Sequence, residues 1–440
     1  MRKSTKQSLQ FKAVSGKQIF ADFNGGELTS DAGLLFLREI ESNIGIIKDV
    51  ASVLPDSRHL GYVKHSMREM LTQRVFQIAA GYEDANDSNF LRHDPVLKLA
   101  CNRLDDALAS QSTMTRFENG FGKLTQYRIA KAFVDNFIRS YKKPPEAIIL
   151  DIDDTEDKTY GAQQLVLFNA YHNSYCYMPI HIYEGQSGKL VTTILRPGKR
   201  PSGRETLAII KRIVRHIRKA WPEVGILLRG DSHYASKEVM DYCEDNGLFY
   251  IFGLTTQQPM EKTTAKCRNE AETLYNLENK PVKLFGEFMY KASSWRQARR
   301  VIYKAEHNEK GDNLRCIITN LENQNIGMVY GDIYCGRGKM ELFIKEHKCH
   351  LFSDRTSCSS FMTNQFRLFL HSIAYVLMYA LRETCLQNTQ FAKAQFDTIR
   401  LKILKIGARI VRMSTKIKIH LPTAFPYQDD LYQLWQNCVT

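Results

Sequence analysis

The sequence lacks the motifs of the commonest nucleotide-dependent enzymes and of small metal-binding modules. It contains neither a P-loop nor a G-x-G-x-x-G run, so it offers no recognisable phosphate-binding loop for a nucleotide. Its 10 cysteines form no C-x-x-C pair, which argues against a zinc ribbon and a thioredoxin-type redox site. We therefore expect the cysteines to be reduced and mainly structural.

Long apolar runs are missing as well. The longest stretch, Phe369 to Leu381, has 13 residues and includes a histidine and a serine, so it is too short to span a bilayer. The amino-terminal residues are basic but carry no apolar segment of the kind found in secretory signals. We expect a cytoplasmic protein with no membrane partner.

The chain does contain enough apolar residues for a large core, together with an excess of positive charge. Of its 440 residues 43% are hydrophobic, which suits two or three globular domains. Lysines and arginines number 61 against 47 aspartates and glutamates, and the net charge of +14 favours a polyanionic partner. Lys199–Lys219 and Arg400–Lys418 carry eight and seven of these cations. Within the first segment, Lys211, Arg215 and Arg218 share one helical face and are candidate DNA contacts.

The hydrophobic pattern changes several times along the chain and predicts a mixed α/β fold. Residues 1–142 are predicted to be mainly helical and to form a DNA-binding region, whereas residues 143–254 alternate strands and helices. Residues 255–330 are predicted to form an antiparallel insertion with a tight turn near EKGDN. Residues 331–395 are predicted to be helical, and residues 396–440 form a basic carboxyl-terminal segment.

Acidic residues lie at the ends of two predicted strands. The stretch Glu146–Asp154 alternates in hydrophobicity, which places Asp151 and Asp153 on one face of a strand. Asp231 follows the apolar stretch GILLR in the same way. Ligands of α/β sheets bind beyond the carboxyl ends of strands, so these acids could converge, and Glu341 on a packed helix would add a third. Three carboxylates of this kind suit Mg²⁺ or Mn²⁺.

Four polar residues, Tyr334, Arg337, Glu341 and Lys348, stand on one predicted helix, separated by two, three and six residues. Together with LDIDDT and LLRGDSHY, this series resembles the catalytic domain of DDE insertion-sequence transposases that carry the Tyr-Arg-Glu-Lys signature. Flanking stretches such as LTSDAGLLFLRE and NQFRLFLHSIAYVLM are similar to insertion-sequence family 1380, which has a transposase DDE domain of group 1. The resemblance extends along most of the chain.

This resemblance implies an RNase H-like catalytic core, with the antiparallel insertion between the second aspartate and the glutamate. It further implies that Asp153, Asp231 and Glu341 are catalytic and bind two Mg²⁺ or Mn²⁺ ions. Asp153 fits the first position because the family places an acid two residues before Thr or Ser, here Thr155. Asp151 is its competitor, since it lies on the same strand face.

The same resemblance implies that Arg337 and Lys348 hold phosphates and that Tyr334 contacts DNA, and Arg355 in LFSDRTS is a further candidate contact. In one place the sequence departs from the family pattern. Relatives usually have a histidine before a glycine after the first acid, and here Tyr160 stands in its place. We assign no role to that segment.

The expected function is that of a mobile-element transposase. It would bind the terminal inverted repeats of an insertion sequence, cut beside them and join the ends to target DNA, near the bacterial nucleoid and as a homodimer on DNA. Two alternatives remain open. One is a catalytically inactive or domesticated DNA-binding protein of transposase origin, and the other is a structure-specific, metal-dependent nuclease.

Overall fold

The computed structural model describes residues 8–322 and 324–439, so the expectations for residues 1–7, 323 and 440 lie outside the described residues. The chain divides into two compact units. One comprises Met1–Glu118 and Ile373–Thr440, and the other comprises Asn119–Ser372.

The first unit begins with short strands and continues with helices. Its elements up to residue 118 are β1 (Leu9–Val14), β2 (Lys17–Ala21), β3 (Glu27–Thr29), α1 (Leu34–Ile44), α2 (Ile46–Val53), α3 (Met67–Ala79), α4 (Ser88–Leu91), α5 (Pro95–Ala100) and α6 (Gln111–Glu118). Helix α3 starts where Ser66 caps it, because the Ser66 side chain accepts a hydrogen bond from the Glu69 amide. This part is mainly helical, as expected, but its three strands were not predicted.

The second unit contains the large sheet. Its elements are α7 (Lys123–Arg139), β4 (Ala147–Asp154), β5 (Asp157–Lys158), β6 (Leu167–Asn169), β7 (Ser174–Tyr177), β8 (Ile180–Glu184), β9 (Leu190–Ile194), α8 (Gly203–Ala220), β10 (Gly225–Gly230), α9 (Lys237–Asp245), β11 (Phe249–Leu254), α10 (Gln258–Glu278), β12 (Val282–Tyr290), β13 (Arg299–Asn308), β14 (Gly311–Thr319), α11 (Gly338–Lys345) and the start of α12 (Phe361–Ala380). The sequence predicts that helix α7 belongs to the amino-terminal region, residues 1–142. It lies in this unit because Val134 and Phe137 pack into the same core as β4.

The sheet has eight strands in the order β12-β13-β14-β11-β10-β4-β8-β9. Strands β4, β10 and β11 run parallel, whereas β8 and β9 continue from β4 in antiparallel pairs. On the other side, β14 pairs antiparallel with β11. The segment predicted as an insertion therefore extends this sheet, and it also contains helix α10, which its sequence pattern does not predict.

Strand β4 lies inside the sheet, and its two faces have different neighbours. Ile148, Leu150 and Ile152 pack into one core with Ile213 and Ile217 of the amphipathic helix α8. Asp151 and Asp153 point to the opposite face, as the alternation predicted. A second apolar cluster on that face joins β11 to the start of the helical stretch that carries Glu341.

That helical stretch is continuous but irregular. Met328–Tyr334 has π-helical turns, Cys335–Arg337 is a 3₁₀ turn, α11 follows, and Glu346–His350 is again π-helical. Wide and tight turns of this kind shift side chains away from ideal helical positions. The predicted helix is therefore present, and its residues do not form one straight stripe.

The carboxyl-terminal part of the chain completes the first unit. Its elements are α13 (Phe396–Ile399), β15 (Ala408–Arg412), β16 (Ile417–His420) and α14 (Gln428–Val439). Strand β15 pairs with β3, so residues from both ends of the chain share one small sheet. All ten cysteines are free thiols. Within residues 8–322 and 324–439, no helix combines the length and apolar character needed to cross a bilayer.

Candidate active site

Two acids meet where the parallel strands β4 and β10 end. Ile152 pairs with Gly230, so Asp231, the next residue after the strand, lies beside Asp153. Their charges interact, since Asp231 contributes to a raised pKa at Asp153. The structure thus brings together the two aspartates that the sequence singled out.

Asp153 is held in an unusual electrostatic environment. The pKa of its carboxyl is raised to about 7, chiefly by burial, with the neighbouring Asp231 and Asp154 adding to the rise and the Arg337 charge opposing it. The Arg337 Nη1 donates to Asp153 Oδ2 at 2.9 Å. A single guanidinium therefore offsets part of the mutual repulsion of these acids.

Asp151 has a different partner. Its side chain is fully buried, and Arg229 donates to both carboxylate oxygens, from Nε to Oδ1 at 2.5 Å and from Nη2 to Oδ2 at 2.7 Å. Arg229 also donates from Nη1 to the backbone oxygen of Ile333. Asp151 and Arg229 thus form a buried brace between the sheet and the helical stretch, with both oxygens of Asp151 engaged.

Glu341 lies exposed on α11, and its charge acts on Arg337, which donates a hydrogen bond to Asp153. Burial lowers the pKa of the Arg337 guanidinium, but Asp153, Asp231 and Glu341 all raise it, and the net shift is upward. Arg337 therefore interacts with all three acids. In the part of the chain that the structure describes, no three His, Cys, Asp or Glu side chains are grouped closely enough to hold a metal ion as they stand.

The other members of the predicted signature take separate positions. Tyr334 lies against the end of β11, where a side chain on Gly253 would meet its hydroxyl at 2.9 Å. Burial raises the pKa of Tyr334, and Arg337 lowers it. Lys348 Nζ donates to the backbone oxygen of Glu156 and reaches Thr155 Oγ1 at 3.4 Å, so it braces the chain just after β4. Arg355 is exposed in the loop before α12.

The three cations predicted on α8 lie away from the acids. Arg218 Nη2 donates to the Gly247 oxygen. Gly247 precedes β11, so this contact lies at the amino ends of the parallel strands, whereas Asp153 and Asp231 lie at their carboxyl ends. Lys211 Nζ lies 5.1 Å from the centre of the Tyr242 ring, a cation–π contact. Arg215 is exposed on the same helix. These side chains are not brought together with Asp153.

Several residues near the acids were missed in the sequence. His233 Nδ1 lies 3.4 Å from Asp231 Oδ2 and 3.8 Å from Asp154 Oδ1, and Asp154 is the main cause of a raised pKa at His233. Arg200 Nη2 donates to the Ser232 oxygen at 3.3 Å. The position of His233 two residues after Asp231 was a visible signal. That of Arg200 was not, because it comes from a distant segment.

Comparisons with known proteins identify the family of this chain. The model of the family described as Transposase DDE domain group 1 matches residues 11–439, which include the three acids and the whole eight-stranded sheet. No curated protein matches the chain. Among solved structures, the chain is similar to a piggyBac transposase in a synaptic complex with hairpin DNA, with a TM-score of 0.43 and 10% identity over 86% of this chain and 80% of that one.

Proposed function

The chain belongs to the Transposase DDE domain group 1 family, and from this we propose that it moves an insertion sequence by cutting and rejoining DNA. It would bind the terminal inverted repeats, cleave beside them and transfer the ends to target DNA. The observation that carries this proposal is the position of Asp153 and Asp231 at the ends of adjoining parallel strands, with Arg337 bonded to Asp153 and in the same helical stretch as Glu341. The mobile element would be of the insertion-sequence family 1380 type.

We propose that five strands form an RNase H-like core. In the order β9, β8, β4, β10 and β11, the first three strands pair antiparallel, and β4, β10 and β11 pair parallel. The antiparallel strands β12–β14 with helix α10 would then be the insertion before Glu341. This proposal is supported by the strand order and by the position of the acids at one edge of that core.

The donor set fits a pair of divalent cations. Asp153, Asp231 and Glu341 offer only carboxylate oxygens, which Mg²⁺ and Mn²⁺ prefer. Two such ions would activate the attacking hydroxyl and stabilise the departing oxygen at the phosphodiester. The pKa of Asp153 is raised chiefly by burial and also by the charges of Asp231 and Asp154, and a bound cation would offset both effects. Asp151 suits this role less, because Arg229 already occupies both of its oxygens.

Four further side chains would serve the DNA. Arg337 stands at the acids and would hold a phosphate next to the scissile bond, where a bidentate guanidinium is well suited. Tyr334, packed beside Asp231, would contact the adjoining nucleotide. Lys348, which bonds the Glu156 oxygen just after β4, would hold a phosphate near the acids, and Arg355 would contact the DNA backbone. Two element ends must react together, so we propose that two copies of the chain act as a homodimer on DNA.

Strand transfer from pre-cut ends tests this function. A duplex copied from the DNA flanking the gene, with its 3′ hydroxyl already exposed, would be mixed with the protein, Mg²⁺ and a plasmid target. A transposase joins the duplex to the plasmid, and Asp231→Asn abolishes the joining but not the binding. A nuclease would cut DNA without joining it, and a domesticated binding protein would do neither. Either of those results would overturn the proposal.

A further inference from the structure

Three exposed cations surround the amino end of helix α8, close to the acids. They are Lys199, Arg200 and Arg204, and we call the segment 199–204 the basic loop. Arg200 links the basic loop to the carboxyl ends of β4 and β10, where Asp153 and Asp231 lie. Its Nη2 donates to the oxygen of Ser232, the residue directly after Asp231. The cations therefore stand next to a proposed metal ligand, although they are distant from it in sequence.

The basic loop is held in place by packing below it. Gly198 leaves no room for a side chain, since a Cβ there would overlap the backbone oxygen of Cys176 and lie 2.7 Å from that of Leu167. Asn169 Nδ2 donates to the Gly198 oxygen at 3.1 Å. The buried Arg196 donates from Nη1 to the Lys199 oxygen at 3.4 Å. These contacts fix the backbone that presents the cations.

The helix that follows is also fixed at its amino end. The Ser202 side chain accepts from the Glu205 amide, and Glu205 Oε2 accepts from the Ser202 amide at 2.9 Å. Gly203 packs against α9, since a Cβ there would lie 2.7 Å from Ser236 Oγ. The amino end of α8 carries the positive end of the helix dipole, which adds to the positive charge of the basic loop.

Charge pairing inside the protein does not account for these three cations. Within the described residues, Lys199, Arg200 and Arg204 make no ion pair within 4.0 Å. The charge of Lys199 helps to lower the pKa of Glu205, but that carboxylate is engaged by the Ser202 cap and by Arg196 at 3.5 Å. Exposed cations on a rigid backbone beside a phosphodiester-cleaving site can bind phosphates at little conformational cost.

We propose that the basic loop binds backbone phosphates of the DNA strand next to the scissile phosphodiester. Lys211, Arg215 and Arg218, which the sequence favoured, have no part in this contact. The inference rests on the proposed function, and it identifies where the substrate strand enters the site. Lys211 and Arg218 are turned to Tyr242 and to the far edge of the sheet, which leaves them outside the path of DNA that reaches Asp153.

Salt-dependent binding tests the proposal. The probe is a fluorescein-labelled duplex copied from the DNA flanking the gene, titrated with protein in EDTA at several KCl concentrations and followed by anisotropy. In the triple variant Lys199→Ala, Arg200→Ala, Arg204→Ala, the slope of log K against log[KCl] should become shallower by about 2 to 3, because each phosphate contact contributes about 0.9. Affinity at moderate salt should fall at least about tenfold.

The matched control removes the same number of cations from α8, as Lys211→Ala, Arg215→Ala, Arg218→Ala. Its slope should change by less than about 1. The charge-conserving variant Arg200→Lys, Arg204→Lys should keep the wild-type slope, which shows that charge and not backbone disruption is measured. If the control lowers the slope as much as the basic-loop variant, the inference is wrong. If the wild-type protein itself shows no salt-dependent binding, the proposed function fails.

Discussion

At the scale of single residues, two aspartates on one strand face differ in what they can do because their partners differ. Asp151 is bonded through both oxygens to a buried arginine, whereas Asp153 shares its one arginine with Asp231 and Glu341. A fully paired buried carboxylate supports the fold, and a carboxylate facing other acids is available for a cation. Substitution should separate these two roles.

Replacing Asp151 by Asn should destabilise the protein, because Arg229 then loses its charged partner. We expect a loss of about 3–5 kcal/mol in the free energy of unfolding, because a buried charge is left uncompensated. The isosteric change Asp153→Asn serves as the matched control and should leave stability unchanged or slightly higher. Urea unfolding of both variants and of the wild type measures these free energies of unfolding. Equal stability of Asp151→Asn and the wild type would contradict the brace.

The raised pKa of Asp153 predicts a pH dependence in metal-free buffer. The folded carboxyl has a pKa of about 7 against an ordinary value of 3.8, so the folded state keeps a proton that the unfolded state releases. This contribution to stability is fully present below pH 4 and is lost as the pH rises to about 7. Relative to Asp153→Asn, the wild type should therefore lose melting temperature over that range and then level off. A difference in melting temperature between the two proteins that does not change with pH would refute the raised pKa of Asp153.

Sequence reasoning at this scale found the acids but not their partners. The alternation in EAIILDIDD placed Asp151 and Asp153 on one face, and this face is observed. It could not assign Arg229 to Asp151, because register across β4 and β10 arises from pairing between segments far apart in the chain. The choice between the two acids therefore depends on the pairing of the folded strands.

At the scale of elements, the helical stretch from Met328 to His350 joins the signature residues to the sheet. Its apolar and polar faces were predictable, and Met340 and His347 are buried while Glu341 is exposed. Its π-helical turns were not predicted, although such turns are frequent at functional sites. Helix α10 was not predicted either. Only three of its residues are buried, so its sequence shows a weak apolar period.

Two substitutions on α11 test which face of this helix packs against the rest of the protein. Met340 has no exposed surface, and Met340→Ala should cost about 2–5 kcal/mol of unfolding free energy through the cavity it leaves. Leu342 is 54% exposed, and Leu342→Ala should change stability by no more than about 0.5 kcal/mol. Chemical denaturation of the pair measures the difference. A larger loss for Leu342→Ala would mean that the helix packs with its other face inward.

At the scale of the whole molecule, pairing between distant segments limits what the sequence predicts. The first unit uses residues from both ends of the chain, since β15 pairs with β3, and no local pattern predicts such a contact. The net charge of +14 and the family to which the chain belongs were both accessible from the sequence, and the prediction of a transposase is confirmed by the family match. The location of the cations proposed to meet DNA depends on the fold, because residues 199–219 contribute cations near both ends of the parallel strands.

The central claim is that Asp153, Asp231 and Glu341 form one metal-dependent cleavage site. The most direct measurement is nicking of a labelled duplex copied from the DNA flanking the gene, with and without Mg²⁺, by the wild type and by Asp153→Asn, Asp231→Asn and Glu341→Gln. We predict Mg²⁺-dependent nicking by the wild type and a loss of at least about 100-fold in each variant, with DNA binding retained. Undiminished nicking by any one of the three variants would contradict the site.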